Sequence, residues 1–223
     1  MIRVIAIVEG PTEEQFFKNI IQPHLIKENI DIRPCLTGYK RRVGGNIKYA
    51  RVKDHIIRAL KEDRNRICTT FYDFYGLFND FPGIEEAKRQ NSNSEKLLLL
   101  QKYILQDVSS DMGKSFDQNR FIPYFQMYEF EALLFSDCEN LAFSLGKSEI
   151  KDHLQNIRDQ FETPEEINDD SETSPSHRIL NLHETYNKIL DSSISVKNIG
   201  LEKIRLECPL FNQWLSGIES LGD

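Results

Sequence analysis

The N-terminal half of this 223-residue chain alternates between segments typical of buried strands and segments typical of amphipathic helices. Ile2–Val8 is short, apolar and rich in β-branched residues, which favours a strand buried on both faces. Ile30–Leu36 and Arg66–Asp73 are predicted as the next two strands, with a helical pattern before each of them. Two successive strand–helix–strand units predict an α/β fold with a mostly parallel central sheet flanked by helices.

Local signals also place the helices. Gly10-Pro11 ends the first strand, and Thr12 with Gln15 has the spacing of a capping box, so we expect a helix to start there. Pro23 is predicted to kink or divide that helix. The further predicted elements are helices over Tyr49–Asp63, Ser94–Asp111 and His177–Leu190, a fourth strand over Arg120–Gln126, a helix beginning in Glu129–Phe135, and a loop over Glu162–Ser176.

We expect residues 1–136 to form the α/β core and residues 137–223 to form a helical extension packed on it.

The four cysteines lie far apart in the sequence, which favours small buried side chains over a disulfide framework or a zinc site. No apolar run is long enough to span a membrane, and Met1–Val8 lacks the pattern of a signal peptide, so we expect a cytoplasmic protein.

Acidic residues follow three of the predicted strands. Glu9 and Glu13 follow the first, Asp73 ends the third with Asp80 in the loop after it, and Glu129 and Glu131 follow the fourth. The carboxyl ends of parallel strands form the usual ligand-binding edge of such a sheet. Several carboxylates share a pocket only when a cation offsets their charge or their pKa values rise, and Mg²⁺ or Mn²⁺ prefers such oxygen ligands.

Each of these acids also has a structural interpretation. Glu13 lies in the first turn of a predicted helix, where acidic side chains interact favourably with the helix dipole. Asp80 precedes Phe-Pro-Gly, an ordinary context for a turn, and Glu131 is expected on a helix surface. Both interpretations of the acids stay open from the sequence.

The net charge of −7 conceals two parts of opposite sign. Residues 1–68 contain 14 Lys and Arg against 8 Asp and Glu, a net charge of +6, and the remaining residues carry −13. A phosphate backbone is one partner for the basic cluster in the first part, and a solvated basic loop is the alternative. The cluster comprises Lys40, Arg41, Arg42, Lys48, Arg51 and Lys53 around Gly44-Gly45.

His177-Arg178 is a second candidate phosphate contact, because it opens a predicted helix. An ordinary helix cap explains the same residues. The sequence has no G-x-S-x-G motif, no H-E-x-x-H motif, no Walker A motif and no G-x-G-x-x-G motif. This argues against a serine hydrolase, a zinc protease, an ATPase and a Rossmann dehydrogenase.

Seven segments spread along the chain form one recognisable set: Val8–Glu14, Gly44-Gly45, Thr69–Leu77, Asp80–Gly83, Glu129–Ser136, Ser174–Arg178 and Cys208–Trp214. Taken together, these segments resemble a bacterial Toprim-like family often labelled RloG. The resemblance implies a Toprim-like α/β fold, related to the nucleases of the overcoming-lysogenization-defect type. Such nucleases bind divalent metal through a glutamate after the first strand and a D-x-D after the third.

Glu9 matches the glutamate of that pattern, whereas Asp73-Phe74-Tyr75 has tyrosine in place of the second aspartate. Either Asp80 substitutes for it or one metal binds weakly. The resemblance also implies a separate ATPase partner, since this chain has no room for the motor that related nucleases use.

Two functions follow from these observations. The first is a metal-dependent nuclease acting on DNA or RNA in a bacterial defence or restriction-linked system. In it Glu9, Glu13 and Asp73 are catalytic, and Glu9, Asp73, Asp80 and Glu129 hold Mg²⁺ or Mn²⁺. Lys40, Arg41, Arg42, Lys48, Arg51, His177 and Arg178 contact phosphate. The second is a non-catalytic module that binds a nucleotide, nucleic acid or an ATPase. The oligomeric state is left open.

Overall fold

The structure, a computed structural model, describes residues 1–37, 48–167 and 172–222. These residues group by internal contacts into two compact units. The first consists of Met1–Phe125 with Ile218–Asp223, and the second of Gln126–Gly217. The grouping does not test the predicted domain division after residue 136, which stays a prediction.

Three seven-residue strands form the centre of the first unit: β1 (Ile2–Val8), β2 (Ile30–Leu36) and β3 (Ile67–Asp73). With the short strand β4 (Phe121–Ile122) they are ordered β2-β1-β3-β4, and each neighbouring pair is parallel. Val8 lies opposite both Leu36 and Phe71, so the three long strands end at one edge of the sheet. The predicted α/β class with a mostly parallel sheet is confirmed.

The single fourth strand predicted over Arg120–Gln126 is wrong, because that segment forms two short strands, β4 and β5 (Phe125–Gln126). Pro123 lies between them. A proline has no backbone N–H to donate to a neighbouring strand, so it interrupts the regular pairing.

The first helical stretch begins with α1 (Pro11–Phe16), continues as a π-helical turn (Phe17–Ile21) and ends as α2 (Gln22–Leu25) with a 3₁₀ turn. The predicted capping box of Thr12 with Gln15 is wrong. The Glu13 carboxylate instead accepts a hydrogen bond from the Gly10 amide, and Pro11 occupies the first helical position, which its fixed φ favours. The predicted interruption near Pro23 is confirmed, and the π-helical turn lies directly before it.

Phe71 on β3 is the centre of the aromatic core of the first unit. Its ring lies 6.1 Å from that of Phe16, 5.5 Å from Phe17 and 5.3 Å from Tyr124 between centroids. All four side chains are fully buried. The remaining helices of this unit are α3 (Tyr49–Glu62), α4 (Ile84–Lys88) and α5 (Asn93–Met112), and the predicted α3 and α5 are confirmed to within two residues.

The second unit is built from short helices around one buried segment. The 3₁₀ helix Phe130–Ser136 has all seven residues buried. Two 3₁₀ turns lie at Ser148–Ile150 and Pro164–Glu166. The α-helices are α6 (Cys138–Ser144), α7 (Lys151–Arg158), α8 (Pro175–Leu182), α9 (Leu190–Ile199), α10 (Leu201–Glu207) and α11 (Pro209–Glu219), and α11 continues past Gly217.

The single helix predicted over His177–Leu190 is wrong, because α8 ends at Leu182 and α9 begins at Leu190. The Asn187 side chain accepts hydrogen bonds from the amides of Ile189 and Leu190. A side-chain amide used in this way competes with helical hydrogen bonding and starts a new helix. The loop predicted up to Ser176 also ends early, since α8 starts at Pro175.

All four cysteines are free, with Cys35 half-buried and the other three buried, which confirms the expectation of small buried side chains. Among the described residues, no helix combines the length and the apolar character that crossing a membrane requires.

The Thr70 hydroxyl ties β3 to the chain around Tyr124. It donates to the Tyr124 carbonyl and accepts from the Tyr124 amide, each at 2.9 Å. Thr70→Val keeps the shape but leaves two buried backbone groups without this partner, so we expect a loss of about 1–3 kcal/mol in the free energy of unfolding. Thr70→Ser is the control, and urea unfolding followed by circular dichroism is the measurement. Equal losses in both variants would show that the hydroxyl does not matter.

Gly83 has φ +77° and faces the Tyr103 side chain, where an added Cβ would lie 2.2 Å from the ring. We expect Gly83→Ala to cost about 1–2 kcal/mol for the left-handed backbone, and more for the clash. In a Tyr103→Ala background the clash with the ring is removed and a 2.9 Å approach to the Cβ of residue 103 remains, so the loss should be smaller than in the wild-type background. A double-mutant cycle by urea unfolding measures the difference, and additive losses would contradict the clash.

Candidate functional site

The candidate site lies where β1 and β3 end. Glu9 follows β1 directly and Asp73 is the last residue of β3. The Asp73 backbone amide donates to Oε2 of Glu9 at 3.3 Å. The parallel pairing of the two strands therefore brings the carboxylate of Glu9 against the backbone of Asp73.

The absence of a side chain at Gly76 leaves room for the Glu9 carboxylate. A Cβ added at Gly76 would lie 3.4 Å from Oε1 of Glu9 and 3.5 Å from Oε2. The Gly76 amide donates to the Asp73 carbonyl at 3.2 Å, which closes a tight turn. The carboxylate of Glu9 thus lies against the backbone of the turn that follows Asp73.

Glu13 stabilises the turn on the other side of Glu9. Its carboxylate accepts from the Gly10 amide at 2.8 Å, and its side chain is buried. This contact gives Glu13 a structural role in fixing the chain directly after Glu9. Its predicted catalytic role stays a prediction.

Asp80 is exposed and bound to the start of α3. Its two carboxylate oxygens accept from the Tyr49 amide at 3.1 and 3.2 Å. A carboxylate at this position satisfies an amide that has no partner within the helix and interacts favourably with the helix dipole. The structure therefore uses Asp80 as a helix cap, and its predicted place in a metal shell stays a prediction.

Glu129 belongs to the second unit, where it caps α8. Its carboxylate accepts from the Ser176 amide at 2.8 Å and from the Ser176 hydroxyl at 3.0 Å. Because a carboxylate of this chain already lies at that helix start, it takes a place that a phosphate was predicted to take. A metal-binding role for Glu129 stays a prediction.

The predicted phosphate contacts have different surroundings. Lys48 and Arg51 are exposed at the start of α3, whereas Lys40, Arg41 and Arg42 lie outside the described residues. His177 is exposed, and Arg178 donates to the Thr173 carbonyl at 2.6 Å with its guanidinium over the Phe161 ring. No phosphate contact of these residues is tested by the structure.

Lys53 differs from the exposed members of the basic cluster. Its ammonium lies 2.8 Å from Asp107 and 2.7 Å from Asp111, both on α5. The Tyr49 hydroxyl donates to the same Asp107 at 2.6 Å. These contacts link α3 to α5, so Lys53 and Tyr49 serve packing here.

The described residues contain no group of three or more His, Cys, Asp and Glu side chains placed to hold a metal ion. A Mg²⁺ ion often keeps several waters and binds through one or two carboxylates. Glu9 and Asp73 have the carboxylate oxygens that such an ion requires, and their predicted role as metal ligands stays a prediction. They do not provide the larger carboxylate shell that the sequence suggested.

The expected position of Glu131 on a helix surface is wrong. Its side chain is completely buried in the second unit, where Lys188 lies 3.0 Å from Oε2 and the Tyr186 hydroxyl donates to Oε1 at 3.4 Å. Burial raises the pKa of Glu131 to about 7, against the lowering effect of Lys188. The apolar run from Phe130 to Phe135 around it is the signal that could have indicated burial.

The strand pairing and the two strand-end acids define an α/β protein with a parallel sheet and with Glu9 and Asp73 at its carboxyl edge, where the Glu9 carboxylate accepts a hydrogen bond from the Asp73 backbone. The chain belongs to the family described as "Domain of unknown function (DUF4276)", which it matches over residues 8–219. The Toprim-like RloG label is not part of that description and stays a prediction.

The chain is also similar to a solved structure, the C-terminal region of the OLD protein of Xanthomonas campestris pv. campestris. The TM-score is 0.43 at 15% sequence identity, and the match covers 98% of this chain and 95% of that chain. No curated protein matches this chain significantly.

The raised pKa of Glu131 predicts how stability depends on pH. The ordinary pKa of a glutamate is 4.5 and that of Glu131 is about 7 in the folded chain, so the folded state binds more protons between these values. Stability should therefore fall as pH rises from about 4.5 to about 7. We expect Glu131→Gln to flatten this slope and the exposed Glu149→Gln to leave it unchanged. Urea unfolding at pH 5, 6 and 7 tests this, and parallel curves for wild type and Glu131→Gln would contradict it.

Proposed function

We propose that this protein is a divalent-metal-dependent nuclease that hydrolyses phosphodiester bonds in DNA or RNA. The observation that carries the proposal is the hydrogen bond from the Asp73 amide to the Glu9 carboxylate. It joins two acids at the carboxyl ends of neighbouring parallel strands, the edge at which such sheets bind ligands. The sequence resemblance to Toprim-like nucleases supports the same activity.

Glu9 and Asp73 would hold Mg²⁺ or Mn²⁺ through carboxylate oxygens. When bound, the ion would activate a water for attack on phosphorus and stabilise the leaving oxygen. Glu9 is oriented by the Asp73 amide and by the turn at Gly76, and Glu13 fixes the turn at Gly10. These contacts would hold the Glu9 carboxylate in place without movement during the reaction.

Lys48 and Arg51 would bind the phosphate backbone of the substrate. Both are exposed at the N-terminus of α3, and that helix start is bound through Asp80 to the loop that follows Asp73. Contacts of this kind give affinity without sequence preference and weaken with salt. Lys40, Arg41 and Arg42, which lie outside the described residues, are further candidate phosphate contacts from the sequence, as are His177 and Arg178.

We place this activity with a separate ATPase, in a bacterial defence or restriction-linked system. The sequence resemblance supports this pairing, since related nucleases act with an ATPase. The sequence itself has no Walker A motif. Co-purification of an ATPase encoded beside this gene would support the pairing.

A second candidate is a non-catalytic module that binds nucleic acid or an ATPase. One observation favours it: Glu13, Asp80 and Glu129 each accept a hydrogen bond from a backbone amide. Acids used in this way have a structural reason to be present that requires no metal. The two candidates differ in whether Glu9 and Asp73 bind a divalent cation.

Cleavage assays test the nuclease proposal. We expect the full chain to cleave plasmid and single-stranded substrates with Mg²⁺ or Mn²⁺ and to be inactive with EDTA. Glu9→Gln and Asp73→Asn should each lower the rate about 100-fold or more, because each removes a charged ligand. Glu149→Gln, an exposed acid far along the chain, is the control for charge.

Calorimetric titration with Mn²⁺ separates the two candidates. Binding that is lost in both Glu9→Gln and Asp73→Asn supports the nuclease. No binding at millimolar Mn²⁺ in the wild type supports the non-catalytic module. Cleavage that persists in both variants would show that the reaction takes place elsewhere.

A further inference from the structure

Tyr75 is an exposed aromatic residue beside the candidate site. It lies two residues after Asp73 and directly before Gly76, and 45% of its surface is exposed. In the part of the chain that the structure describes, its side chain has no hydrogen bond and no ring contact. The neighbouring Phe74 and Leu77 are buried, so burial does not explain why an aromatic residue is placed at this point.

The turn that carries Tyr75 is fixed on both sides. The Gly76 amide donates to the Asp73 carbonyl, and the Leu77 amide donates to the Phe74 carbonyl at 3.3 Å. Phe74 and Leu77 anchor the turn in the core, and only Tyr75 projects from it. The aromatic ring is therefore attached to a rigid segment on the turn after Asp73.

The same loop reaches a positively charged helix start. Asp80, five residues after Tyr75, binds the Tyr49 amide, and the Tyr49 and Phe81 rings lie 5.1 Å apart. Exposed Lys48 and Arg51 belong to the helix start that Asp80 contacts, and the five residues from Tyr75 to Asp80 span at most roughly 18 Å. The exposed ring of Tyr75 thus lies on a loop that begins at Asp73 and contacts, through Asp80, the helix start with its two exposed cations.

We infer that the Tyr75 ring stacks on an unpaired base and that the site prefers single-stranded nucleic acid. An exposed ring on a loop that also contacts a basic helix start suits a single strand, because every base has a face to stack and the cations can bind the phosphates of neighbouring nucleotides. Paired bases in a duplex are already stacked on one another, so they cannot use the ring. The inference rests on the proposed nuclease site and adds its substrate class.

Binding measured without cleavage tests the role of Tyr75. The probes are a fluorescein-labelled 12-nucleotide single strand, as DNA and as RNA, and the DNA duplex, with Ca²⁺ in place of Mg²⁺ and again in EDTA. We expect Tyr75→Ala to weaken single-strand binding about 5- to 150-fold. Tyr75→Phe should bind like the wild type, and duplex binding should change less than twofold.

Phe143→Ala is the matched control, because Phe143 is an exposed aromatic residue in the second unit with 66% of its surface accessible. A single strand containing 2-aminopurine gives a second readout, since stacking on Tyr75 should quench its fluorescence in the wild type and in Tyr75→Phe. Equal affinity of wild type and Tyr75→Ala for the single strand would overturn the inference. Equal losses for single strand and duplex would also overturn it.

The same variants separate this inference from the proposed activity. If the wild type cleaves only duplex and Tyr75→Ala cleaves it equally well, the nuclease proposal stands and the substrate class is wrong. If no substrate is cleaved but single-strand binding depends on the Tyr75 ring, the nuclease proposal fails and the ring's role is supported. Preference between the DNA and RNA strands identifies the source of the unpaired base.

Discussion

The parallel pairing of β1 with β3 is the constraint on which the candidate site depends. Its register places Val8 opposite Phe71, so the next residues of both strands emerge at the same edge. Glu9 can then accept the hydrogen bond from the Asp73 amide. Sliding either strand by one residue would turn its side chains to the other face and separate the two acids. Because Phe71 on β3 packs in the aromatic core and pairs with Val8, the core helps to fix the strand register that positions Glu9 and Asp73.

Carboxylates that accept hydrogen bonds from backbone amides recur throughout the described residues. Asp80 caps α3, Glu129 caps α8, and the buried Glu165 accepts from the amides of Leu210 and Phe211 at the start of α11. A buried charge is tolerated only when hydrogen bonds replace its lost hydration, and the free amides at helix starts provide them. Acids near strand ends and helix starts therefore serve the backbone first, and Glu9, which accepts a hydrogen bond from the Asp73 amide, belongs to the same pattern, so a ligand site at Glu9 and Asp73 needs the metal-binding test.

Elements with a strong local pattern could be predicted from the sequence. β1 and β2 have the predicted bounds, because short β-branched runs between turn residues have one favourable conformation. The predicted helix over His177–Leu190 is wrong because Asn187 binds the amides of Ile189 and Leu190, which a periodicity of apolar residues does not show. In the same way, Pro123 divides a strand whose hydrophobic pattern is continuous.

The sequence by itself determined the α/β class, the order of the strand-end acids and the concentration of positive charge in the first 68 residues. These follow from local periodicity and composition, which need no knowledge of distant contacts. Only the tertiary structure decided which acids meet, because the partner of a carboxylate is set by strand register and helix packing. It joined the Glu9 carboxylate to the Asp73 backbone, assigned Asp80 and Glu129 to helix starts, buried Glu131, and left Tyr75 exposed on the turn after Asp73.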